Sequence, residues 1–342
     1  MSRFLLLFWQ VVLLVSASIS SEEKEPTCRN IGSFNVCHYE GVLVEVTQRR
    51  FEDRLVINLG LLAIREDAFK NVTVAHLYLN EGNRISDVTR GSFRGLPKLL
   101  HLYLINNVIT LSEHLFAELG EHLESLSLAF NKIDSIPEDS FAGLSKLMWL
   151  FLEHNDIEAV NTKSFSNLSI ELLNLRHNKI SRIAPGTFAG LTELRYLDLE
   201  SNQLEDLPSG AFRGLNKLEN LYLNNNRITS ISRALRDLAG LKRLHLQQNE
   251  ISALEPETFR DLSQLELLRL DGNKLSHVVV GTFAGLSNLK HINLSNNHIR
   301  TVDNDAFTDL VNVQNLGFDG NNLTEINKAI SGLPNIVCTT VP

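Results

Sequence analysis

The sequence lacks the features that usually mark a catalytic or nucleic-acid-binding protein. It contains no G-x-S-x-G, H-E-x-x-H or C-x-x-C motif and no phosphate-binding glycine loop. Its formal net charge is -8 at pH 7, and no basic run interrupts that balance, which disfavours a nucleic acid as partner. We therefore expect a protein that is not an enzyme, holds no cofactor or metal, and binds no nucleic acid.

Long apolar runs are also missing, except at the amino end. Arg3 is followed by an apolar stretch, Phe4 to Val15, broken only by Gln10, and then by small residues with Ser18 and Ser20 placed for cleavage. This pattern predicts a secretory signal peptide over residues 1–20 and an extracellular, secreted protein. The stretch is short for a bilayer-spanning helix, so the sequence favours a cleaved signal over an anchor, and no transmembrane segment is expected.

What the sequence does contain is a repeat. Leu191 to Phe212, LTELRYLDLESNQLEDLPSGAF, reads L-x-x-L-x-L-x-x-N-x-L-x-x-L-x-x-x-x-F, and near-copies recur every 23 or 24 residues. The asparagines of the repeat are Asn107, Asn131, Asn155, Asn178, Asn202, Asn226, Asn249, Asn273, Asn297 and Asn321. A second row keeps the same step: Phe69, Phe93, Phe116, Phe141, Phe165, Phe188, Phe212, Leu235, Phe259, Phe283, Phe307 and Ile330. One unit cannot bury its few inward apolar side chains alone, so the units must stack into one continuous core.

These two rows resemble those of extracellular leucine-rich repeat proteins of the 24-residue class, found in Toll and Slit ectodomains and in small leucine-rich proteoglycans. The resemblance covers roughly residues 55–336 and implies an α/β solenoid. We expect a curved right-handed coil with a parallel β-sheet on the concave face and loops or short 3-10 turns on the convex face. The expected domains are a short cap segment over residues 21–50, about twelve repeats over residues 51–336, and a tail over residues 337–342.

The repeated asparagine predicts a buried ladder. It follows a short strand and should point inward, where its amide is tolerated only if backbone groups of its own and the adjacent coil satisfy it. One unit departs from the spacing, because it has an extra residue between Leu79 and Ile85. We expect this extra residue to leave Asn83 off the ladder.

The three cysteines fall at the two ends of the repeats. Related proteins carry a cysteine-bearing cap before the first repeat, so the resemblance implies a bridge between Cys28 and Cys37, in a reduced cap that lacks the usual four cysteines. We expect no cysteine-rich cap after the last repeat. Two interpretations of Cys338 stay open: an interchain disulfide that makes a homo- or heterodimer, or a small buried residue or free thiol.

The outward positions of the predicted strands give candidate partner-binding residues. Exposed aromatic side chains are unusual on a sheet and tend to mark contact sites, although they can also simply cover the sheet. We favour binding, because the concave surface is where solenoids usually make contacts. An aromatic patch comprises His76, Tyr78, His101, Tyr103, Trp149 and Phe151, and a polar patch comprises Tyr196, Asp198, Tyr222, Arg243, His245 and Arg269.

Two further patterns have both a functional and an ordinary interpretation. Two histidine pairs, His76 with His101 and His154 with His177, could share a zinc ion or charge together in acid, but no fourth ligand is evident and ordinary surface histidine is favoured. Four sequons predict glycosylation at Asn71, Asn167, Asn293 and Asn322.

Two functions remain after these exclusions. One is recognition or adhesion, in which the concave face holds a protein or a surface glycan, as the resemblance implies for immune and cell-contact members of the class. The other is a non-catalytic partner subunit of a secreted enzyme, a role that some members of the class play. The identity of the ligand is not encoded in any motif of the chain.

Overall fold

A computed structural model describes residues 25–231, 233–323 and, for the backbone alone, 337–339. The predicted signal peptide and the last row position, Ile330, lie outside the described residues. Within the described part, no helix is long and apolar enough to cross a membrane.

The chain is built from short strands joined by turns. In chain order these are β1 Thr27–Ile31, β2 Phe34–Tyr39, β3 Val42–Gln48, β4 Arg54–Val56, β5 Ala63–Ile64, β6 Phe69–Lys70, β7 His76–Tyr78, β8 His101–Tyr103, β9 Ser125–Ser127, β10 Trp149–Phe151, β11 Ala159–Val160, β12 Leu172–Asn174, β13 Arg182–Ile183, β14 Tyr196–Asp198, β15 Asn220–Tyr222, β16 Arg243–His245, β17 Leu267–Arg269, β18 His277–Val278, β19 His291–Asn293, β20 Thr301–Val302, β21 Asn315–Gly317 and β22 Val337–Thr339. The helical element of the described residues is a 3-10 turn, Ala117–Leu119.

Thirteen of these strands form one parallel sheet, in the order β4, β7, β8, β9, β10, β12, β14, β15, β16, β17, β19, β21 and β22. Each strand pairs with the equivalent strand of the next coil, as Leu197 does with Leu221. The central residue of each strand from β4 to β21 is buried, and its two neighbours face the other way. The predicted solenoid with a parallel sheet is therefore confirmed.

The asparagine ladder is also confirmed, in atomic detail. The Nδ2 of Asn178 donates to the carbonyl oxygens of Leu152 at 3.0 Å and Leu175 at 2.9 Å, in the previous coil and its own. Its Oδ1 accepts from the N–H of Ile157 at 3.1 Å. Each buried amide is thus satisfied by backbone, and each ladder asparagine ties two coils together.

The expectation for Asn83 was wrong. Its Nδ2 donates to the carbonyl oxygens of Ile57 and Leu79, and its Oδ1 accepts from the N–H of Leu61 at 3.0 Å. The extra residue is absorbed in the turn before it, where Gly82 takes a left-handed conformation with φ of +72°. Asn83 therefore occupies the second coil's place on the ladder.

A left-handed residue precedes every ladder asparagine. This position has a positive φ throughout, and glycine or asparagine, which tolerate that conformation best, fill it in several coils. The residues are Gly82, Asn106, Phe130, His154, His177, Ser201, Asn225, Gln248, Gly272, Asn296 and Gly320. They all lie on the side of the sheet where the carboxyl ends of the strands meet, a few residues after each strand ends.

The second row fills the side of each coil away from the sheet. Successive phenylalanines are buried and stack, with ring centroids 5.8 Å apart for Phe93 and Phe116 and 6.2 Å apart for Phe165 and Phe188. Leu235 takes the same buried place in its coil. This continuous apolar row is the core that holds neighbouring coils in register.

The amino-terminal cap is a hairpin closed by the expected disulfide. Cys28 and Cys37 lie opposite each other in the antiparallel pair β1–β2 and are bonded. The hairpin continues into β3, which pairs with β5 and β6 on the side of the first coil away from the large sheet. The cap therefore covers the end of the apolar core but not the edge of β4.

The carboxyl-terminal cysteine falls on the last described strand. The backbone of Cys338 lies opposite Leu316 in the parallel pairing of β21 with β22. Its side chain lies outside the described residues, so both interpretations of Cys338 stay open.

Candidate functional site

Strand register places the outward residues of the sheet in columns, as the sequence predicts. His76, His101, Ser125 and Trp149 are successive partners in one column, and Tyr78, Tyr103, Ser127 and Phe151 are partners in the next. The structure adds one member to the start of each column, because Arg54 pairs with His76 and Val56 with Tyr78. The columns form the face that we call the concave face.

The aromatic patch is assembled by ring stacking between adjacent coils. The centroids of His76 and His101 are 4.5 Å apart, and those of Tyr78 and Tyr103 are 4.4 Å apart, with nearly parallel planes. The guanidinium of Arg54 lies 4.3 Å from the centre of the Tyr78 ring and covers its other face. All six patch residues are half-buried, so they stand on the sheet and are neither inside the core nor fully exposed.

Two serines separate the rings of the patch without opening a gap. Ser125 and Ser127 are buried although they face outward. The rings of His101 and Trp149, two strands apart, approach to 6.2 Å, which is well under two strand spacings of about 4.8 Å each. The rings of the His101 and Trp149 column therefore lean together over Ser125 and close the gap in that column.

The imidazole of His101 favours the neutral form. Burial, and then the neighbouring His76, lower the pKa of His101. Among the residues that the structure describes, no three histidine, cysteine, aspartate or glutamate side chains are grouped as a metal site. At neutral pH His101 is therefore uncharged, and Arg54 lies at the end of the patch.

The polar patch lies further along the same face. Tyr222 stacks on His245 at 4.5 Å and on Tyr196 at 4.9 Å. Arg269 is held by Asp271 through two hydrogen bonds of 3.0 and 2.8 Å. Arg243 donates to the Oδ1 of Asn220 at 3.1 Å. The cationic side chains are therefore fixed in position before any partner arrives.

Asp198 differs from its expected exposure. Only 4% of it is accessible, because neighbouring side chains cover it, and its carboxylate accepts from the N–H of Glu200 at 2.9 Å and the hydroxyl of Tyr196 at 3.4 Å. Burial raises the pKa of Asp198. Its position in the column is as predicted, but it supports its neighbours and offers a partner little surface.

Burial also shifts the pKa of two other groups on this face. Desolvation, and then the nearby Arg269, lower the pKa of His245 to about 4. Desolvation raises the pKa of Glu153, and Asp198 adds to that effect. The centre of the face is thus poorly hydrated. His245 therefore stays uncharged at pH values well below 7.

Some acceptors on this face have no hydrogen-bond partner within the described protein. They are Glu153 Oε2, Asn224 Oδ1 and Gln247 Oε1, which are shielded from solvent and belong to the column beside the polar patch. Arg176 Nε, a donor without a partner in the described protein, lies in the same column. Buried polar atoms usually have a partner, so the column suits a ligand that brings several N–H or O–H donors and an acceptor.

Sequence reasoning missed one aromatic residue, Phe130, on the edge of the sheet where the strands end. Its ring stacks on His154 at 4.1 Å, and His154 stacks on His177 at 4.4 Å, so the predicted His154–His177 pair is confirmed. Phe130 is 49% exposed and takes a left-handed conformation with φ of +55°. The missed signal was a phenylalanine directly before a ladder asparagine. We call these three residues the edge stack.

The four sequon asparagines differ in accessibility. Asn71 and Asn167 are exposed, in turns that precede β7 and β12, and Asn322 is exposed near the end of the described coils. Asn293 is half-buried on the concave face, and its Oδ1 accepts from the N–H of Ser295 at 3.0 Å. Asn293 is therefore the least accessible of the four.

Comparison with solved structures finds similar folds. TLR13, in its crystal structure with ssRNA13, matches at 25% identity and a TM-score of 0.68, over 78% of this chain and 43% of TLR13. An internalin of Listeria monocytogenes matches at 24% identity and a TM-score of 0.61, over 78% of this chain and 75% of that one. A chain of the complex of Latrophilin 3, Unc5D and the repeat domain of FLRT2 matches at 24% identity and a TM-score of 0.56, over 73% of this chain and 84% of that one. This chain thus spans less than half the length of TLR13.

Comparison with family models covers most of the chain. The Leucine rich repeat model matches residues 121–180, 147–204, 169–228, 199–251, 218–275 and 268–323. The model of the BspA type Leucine rich repeat region matches residues 53–147. No curated protein matches the sequence. The ladder, the strand register and these matches agree, and the chain belongs to the leucine-rich repeat family.

Proposed function

We propose that this chain is a secreted recognition protein that holds a protein partner on its concave face. The observation that carries the proposal is the aromatic patch, in which six rings stand half-exposed on a sheet whose core is already complete without them. Aromatic side chains with little freedom to lose are the usual anchors of protein interfaces. The N-terminal run of residues 1–20 supports secretion.

Ring orientation favours a protein over a glycan. A sugar packs on the open face of an aromatic ring, but the faces of Tyr78 are covered by Arg54 on one side and Tyr103 on the other. At Tyr78 the patch presents the ring edge and the hydroxyl group instead. Ring edges pack well against the side chains of another protein.

The edge stack and the polar patch extend the same surface. Phe130 adds an exposed ring at the rim, beside the aromatic patch. The unpaired acceptors near the polar patch would receive backbone or side-chain donors of the partner. A partner that spans these regions would combine apolar anchoring with polar selectivity.

The similar proteins differ in what their structures contain. FLRT2 is seen in a complex with Latrophilin 3 and Unc5D, and TLR13 is seen with single-stranded RNA. The net charge of -8 argues against RNA for this chain, because affinity for phosphate backbones comes mainly from arginine and lysine. A protein ligand is the better match.

Glycosylation is proposed at the accessible sequons, Asn71, Asn167 and Asn322. The turns that carry Asn71 and Asn167 precede the strands, so glycans there would leave the concave face open. A glycan on Asn293 would cover the carboxyl-terminal part of the face, and this half-buried side chain is less accessible to modification than the other three. We therefore expect Asn293 to be unmodified.

The proposal is tested with the double substitution Trp149→Ser and Phe151→Ser. The secreted protein is used as bait on intact cells, and the proteins that it captures are quantified by mass spectrometry. We expect the captured amount of at least one protein to fall about tenfold, because the variant loses one or two interface anchors. The thermal midpoint of the variant should change little.

The matched control is Val280→Ser with Val311→Ser, which removes exposed apolar side chains outside the strands of the concave face. It should leave the captured set unchanged. Equal capture by the wild type and the Trp149 and Phe151 variant, or a large loss of stability in that variant, would show that the rings only cover the sheet.

A further inference from the structure

Among the described residues, no strand pairs with the outer side of β4, so the concave sheet has a free edge there. This strand stands at one end of the sheet order, and the cap hairpin pairs with the other side of the first coil. Parallel strands bond a neighbour through alternate residues. The flanking bonds, Ile57 N–H to Tyr78 O at 2.9 Å and His76 N–H to Asp53 O at 3.0 Å, show that Leu55 faces β7. The N–H and C=O groups of Arg54 and Val56 therefore point away from the sheet.

Exposed apolar side chains gather beside this edge. The described residues include six exposed large apolar side chains, and three of them, Phe51, Val56 and Leu62, belong to the first coil, with exposures of 75%, 42% and 49%. Single exposed apolar residues are ordinary. Val56 is on the open strand and Phe51 comes three residues before that strand, whereas Leu62 lies against Gly41 of the cap, on the other side of the coil.

β4 has few of the features that usually protect the edge strand of a sheet from pairing with another chain. Natural edges are blunted by proline, by bulges or by charges that project from them. The one charged residue of β4 is Arg54, and its guanidinium lies over Tyr78 in the neighbouring strand, away from the free edge. The edge is therefore available for pairing.

We infer that the free edge of β4 takes an extended segment of the protein partner, which adds to the concave sheet as a further strand. This inference rests on the proposed function and specifies the form of the partner. The added segment would bond the outward groups of Arg54 and Val56, and its alternate side chains would continue the columns that contain His76 and Tyr78.

The charges beside the edge indicate the chemistry of the segment. Arg49, Arg50 and Arg54 outnumber the two nearby carboxylates, Glu52 and Asp53, and Glu52 accepts from the N–H of Ser33 at 2.8 Å. Arg49 and Arg50 are exposed, and neither forms an ion pair in the described part of the chain. A segment with acidic side chains next to an apolar one would complement these arginines and the exposed Phe51.

The test uses short random peptides displayed on phage as the probe, selected on the full secreted protein. Val56→Pro removes the outward N–H at a position where an edge strand tolerates proline, and Val56→Thr keeps it as the matched control. We expect the selected peptides to be acidic and to bind the Thr variant as tightly as wild type. Their affinity for the Pro variant should be about tenfold lower, because one or two hydrogen bonds are lost.

Hydrogen exchange keeps the inference testable if the Pro variant fails to fold. In the wild-type complex the amides of Arg54 and Val56 should exchange more slowly than in the free protein, and unchanged exchange would overturn the inference.

Two other outcomes would also overturn it. Peptides that depend on Trp149 and Phe151 but not on Val56 would leave the proposed function standing and remove the edge as a site. A dimer in sedimentation that the Pro variant abolishes would show that a second copy of the chain occupies the edge.

Discussion

Phe130 has both an unfavourable backbone conformation and an exposed ring. A left-handed conformation costs a bulky residue about 1–2 kcal/mol, whereas Asn106 and Asn225 occupy the same position in their coils at less cost. Stacking on His154 returns about 0.5–1.5 kcal/mol. The fold therefore gains little from this ring, which suits a role in binding.

Replacing Phe130 by Asn should separate folding from binding. We expect the free energy of unfolding to stay within about 1 kcal/mol of wild type, because relief of backbone strain offsets the lost stacking. Capture of the partner should weaken in the same assay that tests Trp149 and Phe151. A loss of stability well above that range would mean that the ring supports the fold.

At the scale of the element, the ladder asparagine is the residue of each coil that tolerates substitution least. Asn178 donates to three backbone carbonyl oxygens and accepts from one N–H, all within 3.3 Å. Most of these groups are buried, so removing the amide leaves them without partners. Each unsatisfied buried group costs about 1–3 kcal/mol.

The substitution Asn178→Ala should therefore destabilise the protein by about 3 kcal/mol or more, measured by chemical denaturation. Asn225→Ala is the control, because Asn225 precedes a ladder asparagine and its side chain makes one exposed hydrogen bond to Glu200. It should cost about 1 kcal/mol, mainly because Ala tolerates the left-handed conformation of this position less well than Asn does. Similar costs for the two variants would show that the ladder bonds contribute no special stability.

At the scale of the whole molecule, much of the fold could be read from the sequence because one unit fixes the rest. The spacing of the asparagines and phenylalanines gave the sheet, the ladder and the two outward columns. Spacing does not report how far neighbouring side chains lean, so the burial of Asp198 could not be predicted. It also does not show which side of the first coil the cap covers, so the free edge of β4 became visible only in the structure.

Coils interact only with their neighbours, so one whole period should be removable. Deleting residues 203–226 joins Asn202 to Arg227 and removes β15, after which β14 should pair with β16. We expect a secreted, cooperatively melting protein about 4.8 Å shorter in its longest dimension by X-ray scattering. Deleting half a period, residues 203–214, should abolish secretion. A folded half-period variant would contradict the stacking argument.

The strands of the concave face repeat at a constant spacing, so the distance between two outward residues depends on the number of strands between them. The strands that carry Trp149 and Tyr222 are three pairings apart, which corresponds to about 14 Å. Insertion or loss of coils can change this distance only in steps of one strand spacing. A ligand that touches both patches must match that scale, and its tolerance to added or deleted coils would measure its own length.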